Sequence, residues 1–419
     1  MIQQMSASQG IGSLLRNRFV QAILLSGLFL QIGIWVRNFA VLLFVMDQTN
    51  GDAKAVSLIS VAEFAPIFIF SFIGGTFADR WMPKRTMIWC DVLSAVSVFA
   101  VLLTLVYGSW KAVFFATLVS AILSQFSQPS GMRLFKIHVP AELIQMGMSI
   151  YQTMFALFMV LGPILGTFVY QNYGIQTAIF IMGIAFLLSA AVLLMLPSDK
   201  AAAEEEKAKT NLGEEMAAGF RYVLSKQTLT TLGGCFLSAG LAIGLIQPLG
   251  IFLVTERLGL PKENLQWLMT ANGVAMIIGG GFALGLSKKY SPQTMLGIGM
   301  VVSAIGMIVI GFSTSLWLTL AAQFISGLVL PAIQIGINTM ILSNTDEAYV
   351  GRVNGILNPL FMGGMVVTMS LAGWLKSVFN IVIMYEAAAI LFIIGVLVMI
   401  PLYRNRQSSA GSAESPGEA

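Results

Sequence analysis

From residue 19 onward the chain alternates apolar stretches long enough to cross a bilayer with short polar breaks, and no other feature limits its fold so severely. The stretches cover 19–45, 54–78, 86–107, 111–129, 143–170, 174–196, 228–254, 264–286, 293–312, 315–342, 351–375 and 380–403. A membrane span needs about 20 mostly apolar residues, so twelve spans are expected. Lipid satisfies no backbone N–H or C=O, and the stretches are too long and uniform for barrel strands; each must be a helix. Composition points the same way, with 57% of the 419 residues apolar and only 10% charged. Soluble domains carry about 25% charged residues. A soluble enzyme, a nucleic-acid binder and a disordered scaffold are therefore excluded.

The net charge of +4 is explained by topology rather than by an anionic partner. The first segment and the even-numbered breaks hold Arg16, Arg18, Arg80, Lys84, Arg85, Arg133, Lys136, Lys200, Lys207, Lys209, Arg221, Lys226, Lys288, Lys289, Arg352, Arg404 and Arg406. The odd-numbered breaks hold Lys54, Lys111, Arg257, Lys262 and Lys376, and Arg37 lies inside a span. Cations concentrate on the cytoplasmic side of membrane proteins, which places both ends of the chain in the cytoplasm. The first fifteen residues are polar and lead into a long span without a small-residue cleavage pattern, so no removable signal peptide is expected.

Cys90 and Cys235 both fall in apolar runs and read as free and buried. His138 cannot form a metal site alone, and it falls in a loop where a solvent-exposed role is expected. No GxxxxGK[ST] pattern is present. Neither cofactor, metal nor enzymatic activity is expected.

The longest break divides the chain into a first six-span bundle over 1–197, a central loop over 198–227, and a second bundle over 228–403, followed by a polar tail over 404–419 that reads as disordered. Glu204, Glu205 and Glu206 lie in an alanine-rich part of the loop that reads as a solvated tether. The halves correspond. A proline near the end of the fourth and tenth spans precedes a polar turn with an acid, Glu142 or Glu347, and Gly74-Gly75 and Gly280-Gly281 precede the basic turns after the second and eighth. Such a repeat implies two bundles around a midplane site and a rocking transport cycle.

The turn after the second span reads GTFADRWMPKR from Gly75 to Arg85. It resembles the signature loop of the major facilitator superfamily, Gly-x-x-x-Asp-Arg-x-Gly-Arg-Arg, with Met82 at the second glycine and Pro83 after it. Here glycine lets helices approach, and Arg80, Lys84 and Arg85 hold the end at the anionic leaflet. Asp79 with Arg352 reads as a conformational latch, supported by Gly75 and Asp91; the alternative is charge that sets topology alone. In the fifth span, Gly162, Pro163 and Gly166 resemble the Gly-Pro-x-x-Gly-Gly element of exporters in that superfamily, and a packing kink is equally sufficient. NLGEEMAAGFRYVLSK before the seventh span, the segment from Pro129 to Pro140, and VGRVNGI opening the eleventh resemble the branch containing macrolide efflux proteins and the enterobactin exporter. The resemblance implies an all-α membrane fold of twelve helices in a bacterial inner membrane.

An ionisable group at the bilayer centre costs at least about 2.5 kcal/mol, so each needs a partner or a purpose. With span centres near residues 32 and 67, Arg37 and Glu63 lie about 7 Å and about 6 Å toward the outer side at a rise of about 1.5 Å per residue. On one reading Glu63 carries the coupling proton or meets a cationic drug while Arg37 tunes it; on the other they are a static ion pair. Glu386 lies near the outer boundary and reads as interfacial.

In the superfamily's fold, spans one, four, seven and ten line the cavity, with two, five, eight and eleven beside them. The uncharged polar candidates there are Gln31, Asn38, Gln125, Gln128, Gln247, Asn272, Gln323, Gln334, Asn338, Asn354 and Asn358, with Trp35, Phe64, Phe126 and Tyr151 nearby. Amides donate and accept without fixed charge, which suits a mainly apolar, adaptable cavity; hydrogen bonding between helices is the other reading for each. The expected activity is monomeric proton antiport that exports amphiphilic, drug-like compounds. A dedicated siderophore, metabolite or lysophospholipid carrier is the alternative.

Overall fold

A computed structural model describes residues 17–139, 141–196, 212–346 and 349–401; the side chains of 71–80, 141–142, 145–146 and 212–215 are outside that description. The linker from 198 to 211 and the tail from 404 lie outside it too. The chain divides into two compact units, Met1–Glu206 and Lys207–Ala419.

The first unit holds α1 (Arg18–Gln48), α2 (Ala53–Arg80), α3 (Pro83–Val106), α4 (Ala112–His138) and α5 (Ala141–Leu194). The second holds α6 (Leu212–Ser225), α7 (Gln227–Ile246), α8 (Leu265–Leu286), α9 (Pro292–Phe312), α10 (Leu316–Asn344), α11 (Val350–Val378) and α12 (Ile381–Val398). Among the described residues, eleven helices are long and apolar enough to cross a membrane, against twelve expected spans. The difference lies in α5, whose 54 residues would extend about 81 Å if straight, far beyond the roughly 30 Å of a hydrocarbon core. Gly174, at φ 76° and ψ −179°, breaks it into two arms that form the fifth and sixth crossings. Only glycine adopts that backbone region without strain. Pro163 sits within helical backbone, so the abrupt change of direction falls at Gly174 instead.

Two further boundaries differ from the apolar pattern. α4 continues to His138, past the expected end at 129, because Pro129 is accommodated inside the helix. α7 ends at Ile246, where Pro248 removes a backbone donor, and the seventh span continues through short 3-10, α and π turns to Arg257.

Both units use the same packing plan. In the first, α1 packs on α5, α2 on α4, α3 on α4, and α3 on α5. In the second, α7 packs on α11 and α12, α8 on α10, α9 on α10, and α9 on α12. With the arms of α5 taken as the fifth and sixth spans, each contact has its counterpart six spans later. Small residues allow the approaches, since lipid supplies no hydrophobic force between helices. A Cβ on Gly244 of α7 would lie 2.1 Å from the Met365 carbonyl oxygen of α11. One on Gly162 of α5 would lie 2.4–2.7 Å from three atoms of the Trp35 ring on α1.

The units also share a clasp at their basic ends. In the first, Asn17 caps α1 and donates from Nδ2 to the His138 carbonyl at 3.1 Å, while Phe19 stacks on the His138 ring at 3.6 Å. His138 is thus half-buried at the end of α4 rather than in an open loop, and its Nδ1 donates to the Leu134 carbonyl at 3.0 Å. In the second, Tyr222 of α6 stacks on Tyr349 with centroids 4.2 Å apart and donates from its hydroxyl to Asp346 Oδ2 at 2.9 Å. Lys226 closes this clasp, 3.5 Å from Asp346 and 4.6 Å from the Tyr222 ring centre. The Tyr222 hydroxyl, and after it the Asp346 charge, hold the Lys226 ammonium above the usual lysine range.

Candidate functional site

The polar centre of the first unit is built where α1 faces α2. Arg37 is 4% exposed, and its Nε has no hydrogen-bond partner. The next residue, Asn38, donates from Nδ2 to Glu63 Oε1 at 2.5 Å. The Arg37 charge acts on Glu63 through space, and the contact that touches the carboxylate is the amide. Depth matching brings Arg37 and Glu63 to one level, but helical rotation decides which residues touch. Successive residues on a helix point about 100° apart at 3.6 residues per turn, so Arg37 and Asn38 cannot address one point alike. The rotation is set by α5: a Cβ on Gly33 would lie 2.8 Å from that of Ala185, and Gly162 and Gly166 receive Trp35 and Phe39. Gly162 and Gly166 therefore make the α1–α5 seam on which the centre rests.

A second polar chain crosses the same unit. Ser189 of α5 donates to Asp91 Oδ2 of α3 at 2.5 Å and accepts from Ser26 of α1 at 2.6 Å. Asp91 is buried, with its hydrogen-bond partner on α5 rather than in the signature turn. The sequence carried no signal for this triad, since serines in apolar runs look alike whether they pair or not. Lys84 also turns inward. It is buried and donates to the Leu196 carbonyl at 2.5 Å, because carbonyls after a helix end need donors, whereas Arg85 stays exposed. The expected leaflet-holding role thus does not describe Lys84. Gly75, Asp79 and Arg80 lie in α2, but their side chains are outside the description. Arg352, in the first turn of α11, lies 5.0 Å from the Tyr349 ring centre.

The amides separate into two groups. Gln31 accepts from Trp35 Nε1 at 3.1 Å, Gln125 donates to Ser124 at 3.1 Å, Asn272 donates to the Gln323 carbonyl at 3.2 Å, and Asn354 donates to the Val350 carbonyl at 3.0 Å. These already hold neighbours or their own helices. Gln128, Gln247, Gln334, Asn338 and Asn358 are exposed. Phe126 lies 6.3 Å from Phe70 and 6.1 Å from Trp81 between ring centres, while Phe64 and Tyr151 are half-buried.

A multi-pass helical protein of two repeated six-span units, with charge buried in one of them, has the form of a membrane transporter. The sequence profile of the Major Facilitator Superfamily matches residues 23–261 and 232–419, and the chain belongs to that family of transporters rather than to an enzyme family. It is 25% identical over 392 residues to YkuC of Bacillus subtilis, an uncharacterized MFS-type transporter, covering 90% of this chain and 91% of that one. It is 27% identical over 338 residues to the multidrug efflux pump Tap of Mycolicibacterium fortuitum, covering 78% and 81%. The multidrug resistance protein MdtG of Dickeya zeae is 22% identical over 311 residues, covering 72% and 73%. The solved structure of the nucleoside transporter NupG has the same fold, with a TM-score of 0.73 at 12% identity, covering 93% of this chain and 99% of that one.

Proposed function

We propose that this secondary transporter exports amphiphilic, drug-like compounds in exchange for protons, with Glu63 as the coupling acid. The observation that carries the reading is the Arg37–Asn38–Glu63 centre: an acid within a span, bonded to an amide and beside a buried cation, with no cation within 4.0 Å of it among the described residues. A static ion pair would put guanidinium on carboxylate; this arrangement leaves the acid free to gain and lose a proton. The half-buried aromatics and exposed amides favour an adaptable apolar substrate, and the similarity to the multidrug efflux pump Tap and the multidrug resistance protein MdtG favours drugs over a single dedicated cargo. The distribution of cations supports a cytoplasmic position for both ends of the chain, and the bacterial relatives support a bacterial cell membrane.

The test is transport in reconstituted vesicles with an imposed pH gradient and a panel of dyes, macrolides and lysolipids. Wild type moves panel members only with the gradient, and Glu63→Gln binds them without gradient-driven movement. Unchanged gradient-driven export by Glu63→Gln removes the coupling role, and movement of lysolipids alone replaces drug export with lipid transport.

A further inference from the structure

We infer that α6 is an interfacial helix that lies on the cytoplasmic leaflet and engages anionic lipid headgroups. α6 has two apolar faces, and the described residues cover only one. On the covered face, a Cβ on Gly219 would lie 3.0 Å from Arg352 Cβ and 3.1 Å from Ile356 Cδ1 of α11, and Val223 one turn on is buried. On the other, Met216, Phe220 and Leu224 are 46%, 56% and 56% exposed. Their four-residue spacing aligns them in one stripe. The exposed positions that follow around the helix are Ala217, Arg221 and Ser225. Packed side, apolar stripe and polar edge thus succeed one another around the axis, the arrangement of a helix lying in a membrane interface.

Continuity and charge select the bilayer as the occupant. Only Lys226 separates α6 from α7, a membrane-spanning helix that begins at Gln227, so the C-terminal end of α6 is held where that span meets the headgroups. The clasp through Tyr222, Asp346 and Lys226 fixes its packed side, so the stripe cannot roll onto the protein. Arg221 stands on the exposed face, where a long cationic side chain reaches phosphate while its stem lies along apolar surface. Glu214 and Glu215 fall near the opposite end, away from the span. The cation distribution assigns this side to the cytoplasm, whose leaflet carries anionic lipid.

The experiment places a bimane label on Met216→Cys, Phe220→Cys and Leu224→Cys in the full chain, in lipid nanodiscs with or without phosphatidylglycerol. Native Cys90 and Cys235 are 7% and 2% exposed and stay out of reach of the reagent. Labels at these positions are expected to be quenched several-fold by lipid nitroxide near the headgroups and little by aqueous iodide, with quenching increased by phosphatidylglycerol and the increase lost in Arg221→Gln. Iodide quenching without lipid quenching overturns the proposal, because the stripe then faces water. Resistance to both quenchers also overturns it, since another part of the chain or a second copy must then cover the stripe. Three independent positions keep the test decisive if one variant fails to fold.

Discussion

Asn38 on α1 donates from Nδ2 to Glu63 Oε1 on α2 at 2.5 Å, while Oδ1 of the same amide is buried without a partner. An amide offers donors on one side and an acceptor on the other. In the observed orientation it serves a carboxylate; turned over, it accepts the proton of the neutral acid. One side chain therefore suits both protonation states of Glu63.

Asn38→Leu removes donor and acceptor together. Gradient-driven export is expected to fall and its pH profile to move, while substrate binding without a gradient persists. Asn38→Gln keeps the amide and restores part of the rate. Transport across a pH series makes the comparison, and identical profiles for wild type and Asn38→Leu would show that the amide is only a spacer.

Gly162→Leu places a side chain where the Trp35 ring already lies. Overpacking of this kind costs about 1–3 kcal/mol, which thermal unfolding in detergent reads as a lowered Tm. Leu161→Ala, at an exposed neighbouring position, is the control and should shift Tm little.

Ser189→Ala leaves Asp91 without its donor and Ser26 without its acceptor. An unsatisfied buried polar group costs about 1–3 kcal/mol, more for a charged one. Thermal unfolding should show Asp91→Asn to be milder than Ser189→Ala, because the amide lowers the charge left uncompensated. The reverse order would mean that Asp91 is sustained by another partner.

Gly174→Ala forces a Cβ into a left-handed, extended conformation. A cost of about 1–3 kcal/mol follows from strain alone, since nothing lies within 4 Å of the added atom. An unchanged Tm would show that the break can relax.

Tyr222→Ala and Tyr349→Ala each open the second unit's clasp. The double-mutant cycle in thermal unfolding is expected to yield about 0.5–1.5 kcal/mol of coupling, as for other aromatic pairs. A coupling near zero would leave Lys226 and Asp346 as the contacts that matter.

The twelve crossings were legible in the sequence because run length and the placement of basic turns are linear signals. Depth was legible too, so Arg37 and Glu63 stood out. Rotation about a helix axis was not: whether residue 37 or 38 meets Glu63 depends on how Gly33 and Trp35 seat against α5, on contacts nearly 130 to 150 residues away in sequence. The same limit concealed the Ser26–Ser189–Asp91 chain and the inward turn of Lys84. The stacking of Phe19 on His138 was hidden by Pro129, which marks a stop in apolar pattern yet is carried inside α4.

At Gly174 the fifth crossing passes into the sixth through a single residue, with no loop between the arms. A joint that short has no slack. Displacement of one arm is delivered directly to the other, and through Trp35 and Ala185 both arms bear on α1. α1 is thus seated on both arms of α5, and a turn of the helix that carries Arg37 and Asn38 would press on both crossings at once.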